Sequence, residues 1–168
     1  MAEQQVRILN TQEVERKIKR IAYQIFEENH EEKSIILAGI PQSGLHLAEL
    51  IQEQLRQISP LDVHLIPLEI DKSAPFSSKT AYTKPPVPLS GRVVVLVDDV
   101  LNTGKTILKA VKPFLETELK SLQTAVLVNR SHLAFPIAAT YTGLELATTL
   151  NEHIEVLIEE NRKEVFLR

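Results

Sequence analysis

Apolar residues change their spacing along the chain, and each change marks an element. Val14, Ile18, Ile21, Ala22 and Ile25 recur at the interval of one helical face. Asn10 or Thr11 stands where a cap belongs, with Glu13 placed to reach back as in a capping box, so a first helix is predicted there. Residues 34–40 (SIILAGI) are a short unbroken apolar run, the pattern of a buried strand. A loop, Pro41, Gln42, Ser43 and Gly44, leads to a second helical face made by Leu47, Ala48, Ile51, Leu55 and Ile58. Residues 63–70 (VHLIPLEI) predict another strand, in which Pro67 argues for an edge or an irregularity.

The period then disappears. Residues 71–91 (DKSAPFSSKTAYTKPPVPLSG) are rich in proline and serine, and so long a connection in a compact domain is typical of a functional lid. Strand character returns at 92–97, followed from about Lys105 by a helix using Ile107, Ala110, Val111, Phe114 and Leu115. Residues 124–129 predict a further strand, and short strand-like pieces follow at 137–141, 153–159 and 163–167. Strands alternating with helices imply an α/β fold with a mainly parallel twisted sheet. The late β-rich segment reads as an appended flap on one domain spanning residues 1–168.

Composition narrows the function classes. The chain has 168 residues, 43% hydrophobic and 24% charged, enough for one sizeable core. A net charge of −3 argues against a broad nucleic-acid surface. With no cysteine, disulfides and thiolate metal sites are excluded. The opening MAEQQVRILN has no apolar leader core, and no run approaches the ~20 residues of a membrane span. A cytoplasmic protein without membrane contact is expected.

The chemistry concentrates in VVVLVDDVLNTGKT, residues 93–106. Asp98 and Asp99 sit at the carboxyl end of a strand, where open parallel sheets bind ligands. Asn102, Thr103, Gly104, Lys105 and Thr106 can form a tight loop opening a helix, whose N–H groups and hydroxyls suit phosphate. Two carboxylates beside a phosphate make sense if they bind sugar hydroxyls or a bridging Mg²⁺. A ribose phosphate combines these features. A helix cap would explain one aspartate, not both and the loop; a Walker A loop is excluded because Asp99 stands where its first glycine would be.

The run from Val95 to Thr106 resembles the phosphoribosyl diphosphate (PRPP) signature of type I phosphoribosyltransferases. Arg7-Ile8-Leu9-Asn10, Arg20-Ile21-Ala22, Ala38-Gly39-Ile40, Ala125-Val126-Leu127-Val128, Arg130-Ser131-His132 and Phe135-Pro136-Ile137 extend the resemblance to pyrimidine operon attenuators and uracil phosphoribosyltransferases. The resemblance implies that fold, with a lid near 71–88 and a C-terminal hood near 130–168. It implies Mg²⁺-dependent transfer of phosphoribosyl from PRPP to a nucleobase, most simply uracil. Asp98 and Asp99 would hold the ribose hydroxyls and, directly or through ribose and water, the metal. Asn102, Thr103, Gly104, Lys105 and Thr106 would hold the 5′-phosphate. Pro41, Gln42, Ser43 and Gly44 would hold pyrophosphate, and Val128, Arg130 and His132 would shape the base pocket. One of Lys72, Lys79 and Lys84 would reach PRPP when the lid closes. A homodimer or larger homo-oligomer is implied.

Two departures from the family pattern carry expectations. The Pro41–Gly44 loop has no positive charge, and one charge-assisted hydrogen bond contributes about 1.5–3 kcal/mol, so PRPP binding roughly tenfold weaker is expected. This keeps open a second reading, a PRPP- or nucleotide-sensing regulator of RNA with little turnover, although Leu133 and Ala134 and the negative charge disfavour an RNA surface. Family members strain the loop with a cis peptide, and proline lowers that penalty, so a cis Ile40–Pro41 bond is predicted.

Overall fold

The computed structural model describes residues 5–168; the first four residues of the opening segment lie outside the described residues. In chain order the elements are β1 (Val6–Leu9), α1 (Thr11–Glu28), β2 (Ser34–Gly39), α2 (Ser43–Ile58), β3 (Asp62–Glu69), β4 (Ala81–Tyr82), β5 (Val93–Leu101), α3 (Lys105–Val111), β6 (Ser121–Asn129), β7 (Tyr141–Glu145), β8 (Ile154–Ile158) and β9 (Lys163–Leu167). A 3-10 turn over Lys112–Phe114 prolongs α3.

The capping box forms as its sequence predicts. Asn10 Oδ1 accepts from the Glu13 N–H and Glu13 Oε2 accepts from the Asn10 N–H, both at 2.9 Å. Such a cap contributes about 1 kcal/mol. The apolar stripe of α1, Val14 through Ile25, is buried against the sheet.

Six strands make the main sheet in the order β4-β3-β2-β5-β6-β7, parallel except for β4. Alternation along its strands feeds two cores. Ile35, Leu37, Val93, Val95 and Leu127 face α1 and α2, whereas Ile36, Ala38, Val94, Leu96 and Val126 face α3. Continuous apolar strands follow from covering both faces. β3 is bordered on one side only by two-residue β4, so Pro67 lies beside a nearly open edge, as expected.

Several boundaries differ from those predicted. The strand at 92–97 continues to Leu101, because β6 keeps pairing with it (Asp98↔Val126, Val100↔Val128) after the pairing with β2 has ended at Gly39↔Val97. The helix after Lys105 ends at Val111, since Pro113 breaks the α-type bonding, and Leu115 is left 73% exposed. The piece at 137–141 is not a strand; β7 begins at its last residue and joins the main sheet beside β6. A separate antiparallel sheet, β1-β9-β8, combines the end of the chain with Val6–Leu9.

No cis peptide occurs among the described residues, so the Ile40–Pro41 bond is trans, contrary to expectation. The chain reverses one residue later: Gln42 adopts φ 67° and ψ −121°, and α2 starts at Ser43.

Candidate active site

The sheet order creates the crevice. From β2 the chain crosses through α2 to β3 on one side, while β5 lies on the other side of β2. Such a reversal opens a gap beyond the carboxyl ends of the two strands. The last tie between them is the Ile40 N–H donating to the Val97 carbonyl at 2.9 Å. Beyond it β5 presents Asp98 and Asp99 and β2 gives way to Pro41–Gly44.

Gly44 draws the two sides together. A Cβ there would lie 2.9 Å from the Val97 carbonyl oxygen and 3.0 Å from Asp98 Oδ1. Only hydrogen lets the first turn of α2 press this closely on β5. The consequence is that Asp98 is 3% exposed, with Oδ1 accepting from the Asp99 N–H at 2.9 Å. Burial pushes its carboxyl well above the usual range, the charge of Asp99 adds to the rise, and Lys72, with Nζ 3.7 Å from Oδ1, opposes it. Asp99 is half-buried.

The second loop stands on the other side of Asp98. Gly104 takes the left-handed conformation at φ 88° and α3 begins at Lys105, whose N–H donates to Thr103 Oγ1 at 3.3 Å. A cavity of about 110 Å³ is lined by Asp98, Val100, Leu101, Asn102, Thr103, Gly104, Lys105, Thr106 and Ile107. The Thr103 carbonyl accepts from the N–H groups of Ala134 and Phe135, at 2.9 and 3.1 Å, so the segment after β6 is fastened to the loop. A larger hollow of about 540 Å³ between α1, α2 and Lys163 is lined by surface charges and has neither loop.

The predicted base-pocket residues occupy different positions. Val128 is fully buried, paired with Val100 on β5 and Leu144 on β7, and can act only from behind a pocket wall. Arg130 is 5% exposed and its guanidinium is spent on the 148–152 loop, donating to Thr148 Oγ1 at 2.9 Å and to the Glu152 carbonyl at 2.6 Å. His132 Nε2 is 2.5 Å from the Thr148 carbonyl. Arg130 and His132 share a hollow of about 570 Å³ with Asn102, Thr103, Leu133, Leu150 and His153. Leu150 and His153 were invisible to sequence reasoning, because tertiary packing alone brings the 148–153 segment there. Among Lys72, Lys79 and Lys84, which the sequence left equivalent, Lys72 is the one beside Asp98.

The phosphoribosyl transferase domain family matches residues 4–161. The chain belongs to this family. It is 40% identical over 151 residues to a bifunctional protein PyrR of Streptococcus thermophilus, covering 88% of this chain and 86% of that protein. It is 34% identical over 159 residues to the bifunctional protein PyrR of Haemophilus ducreyi, covering 90% and 89%. Among solved structures, a hypoxanthine phosphoribosyltransferase from Trypanosoma cruzi in a ternary substrates complex superposes with TM-score 0.74 at 18% identity, covering 96% and 95%. A hypoxanthine-guanine phosphoribosyltransferase from Bacillus anthracis, with HEPES in its active site, gives TM-score 0.71 at 17% identity, covering 89% and 86%. These structures establish the type I phosphoribosyltransferase fold, and the sequence relatives place the chain in the PyrR group. This phosphoribosyltransferase is an enzyme of nucleotide metabolism that uses PRPP and a nucleobase. Among its described residues no helix is long and apolar enough to cross a membrane.

Proposed function

We propose that the chain transfers phosphoribosyl from PRPP to uracil, releasing pyrophosphate, with Mg²⁺ bound alongside the substrate. The observation that supports this reading is that Asp98 and the Thr103–Thr106 loop line one small cavity, with Asp99 next to Asp98 on β5 and the Pro41–Gly44 loop across the crevice. Asp98 and Asp99 accept hydrogen bonds from the ribose hydroxyls. Thr103, Thr106, Lys105 and the loop N–H groups hold the 5′-phosphate. The opening turn of α2, whose first N–H groups have no intrahelical partner, faces pyrophosphate. In the reaction the bond from the anomeric carbon to pyrophosphate breaks, a bond to a ring nitrogen of the base forms, and that nitrogen loses its proton.

The donor set suits a magnesium ion. No cluster of three acidic or histidine residues occurs among the described residues, and Mg²⁺ is commonly held by one or two carboxylates plus substrate oxygens. The Lys72 ammonium already stands beside Asp98 as a cation would. When bound, Mg²⁺ neutralises charge on the departing pyrophosphate. Soluble homo-oligomers of closed symmetry are common, and the β8–β9 turn near 159–164 and α1 are the surfaces proposed for assembly.

A second reading, a regulator that senses PRPP or nucleotide and acts on RNA, is favoured by the uncharged Pro41–Gly44 loop and by the bifunctional relatives. Against its RNA half, Arg20 turns its guanidinium onto the Thr142 and Gly143 carbonyls of β7 and leaves α1 one cation poorer. Pyrophosphate release from PRPP and Mg²⁺, measured against a panel of bases, separates the two. The transferase reading expects release with uracil, lost in Asp98→Asn/Asp99→Asn. Mg²⁺-dependent PRPP binding without release, together with a shift of a pyrimidine-leader RNA, would favour the regulator.

A further inference from the structure

Lys109 is 1% exposed, a buried charge for which the reaction just described has no use. Its ammonium donates to two main-chain carbonyls across the sequence, Asp71 at 2.5 Å and Ala74 at 2.8 Å. Those carbonyls belong to one tight turn, closed by the Ala74 N–H donating to Asp71 and by Ser73 bonded to the Asp71 carboxylate. Three residues on, Lys112 repeats the device. Its ammonium donates to the Phe76 carbonyl at 2.6 Å and the Ser78 carbonyl at 3.2 Å, both in the next turn, which the Ser78 N–H closes on Pro75. Lys105, one helical turn before Lys109, has its ammonium 5.5 Å from the centre of the Phe76 ring, and that ring meets Phe135 edge-on at 5.3 Å.

Lysines 105, 109 and 112 thus form one face of α3 and its extension. That face starts at the loop read as the 5′-phosphate site. The segment it grips, residues 71–78, is the first part of the stretch near 71–88 read from sequence as a lid. Between the two carbonyls held by Lys109 lies Lys72, whose ammonium reaches Asp98. A buried ammonium is retained only where hydrogen bonds replace its water, so the Asp71–Ala74 turn and Lys109 depend on each other.

We propose that Lys109 is a positioning residue: it pins the 71–74 turn to α3, so that the lid is seated and Lys72 lies on Asp98 before substrate arrives. The proposal rests on reading this crevice as the PRPP site. Substrate entry then displaces Lys72 from Asp98 while Lys109 keeps its grip and acts as the hinge.

Amide hydrogen exchange on the ligand-free chain tests this without reference to activity. Lys109→Met keeps the stem length and removes the donors. It is expected to speed exchange across residues 72–80 by about tenfold or more while β2 and β5 keep their protection. Lys109→Arg, which retains donors, is expected to restore lid protection to within about threefold of the parent, and Lys72→Met to leave it within the same margin. Lys112→Met should loosen 75–80 alone. Parental lid protection in Lys109→Met would overturn the proposal. So would an Arg variant as loose as the Met variant, a comparison that remains decisive if Met unsettles the whole fold. Magnesium and PRPP are then added to the parent chain. A parent whose lid exchange does not respond would count against the PRPP reading, whereas the ligand-free comparison still decides the role of Lys109.

Discussion

The two loops that meet across the crevice are built alike and charged differently. Each follows a parallel strand, each opens a helix without a side-chain cap, and each contains one residue at positive φ. In the Asn102–Thr106 loop that residue is Gly104, at ease with φ 88° and followed by a lysine and a threonine. In the Pro41–Gly44 loop it is Gln42 at φ 67°, where a side chain makes the conformation costly, and no charge accompanies it. The glycine of that loop is spent elsewhere: Gly44 admits α2 to the backbone of β5. One loop therefore brings charge to the crevice, and the other brings close packing and uncapped backbone N–H groups.

Substitutions at five positions separate the two loops. Gly44→Ala should have the largest effect, because its Cβ would meet backbone and carboxylate oxygens at 2.9 and 3.0 Å. It is expected to cost about 1–3 kcal/mol of stability, read by denaturant titration, and to abolish PRPP binding with it. Lys105→Met should weaken PRPP by about tenfold to a hundredfold by calorimetry, as loss of a charge-assisted bond requires, whereas Ser43→Ala stays under about tenfold. Equal losses would erase the asymmetry.

Asp98→Asn should separate stability from function. A carboxyl raised above its unfolded value of 3.8 contributes stability below that pH and loses it as pH rises toward the native value. At neutral pH the asparagine chain is therefore expected to melt about 2–4 °C higher, the shift of ~1 kcal/mol in a chain of this size, while failing to bind PRPP. A lower melting temperature would mean that the Lys72 contact outweighs burial. Gln42→Gly should change least. Relief of positive φ and the added chain entropy of glycine oppose each other at about 1 kcal/mol apiece, so stability should stay within ~0.5 kcal/mol.

The parts of this site that were legible in the sequence are contiguous. Asp98 to Thr106 is one contiguous run whose loop and helix start are local events, although its strand reaches Leu101 only through β6, and the capping box at Asn10 and Glu13 is equally local. What stayed hidden depends on distant partners. Val6–Leu9 is too short to announce a strand, and β9 makes it one by pairing Val6 with Leu167. β7 adds to β6 rather than to the flap because Tyr141 finds Ala125 in register and bonds to Gln123. Lys109 looks like any helix-surface lysine until the 71–74 turn lies over it. The trans Ile40–Pro41 bond was missed because a turn expected at one peptide is made by the φ of the next residue.

The measurement that tests the account most directly is calorimetric titration, in Mg²⁺, of PRPP, ribose 5-phosphate and pyrophosphate, each against the parent chain and Asp98→Asn/Asp99→Asn. PRPP is expected to bind best, ribose 5-phosphate to keep most of its affinity through the lysine-bearing loop and the acidic pair, pyrophosphate to bind weakest, and the double variant to lose both sugar phosphates. Pyrophosphate binding tighter than ribose 5-phosphate, or sugar phosphate binding indifferent to the two aspartates, would contradict the account.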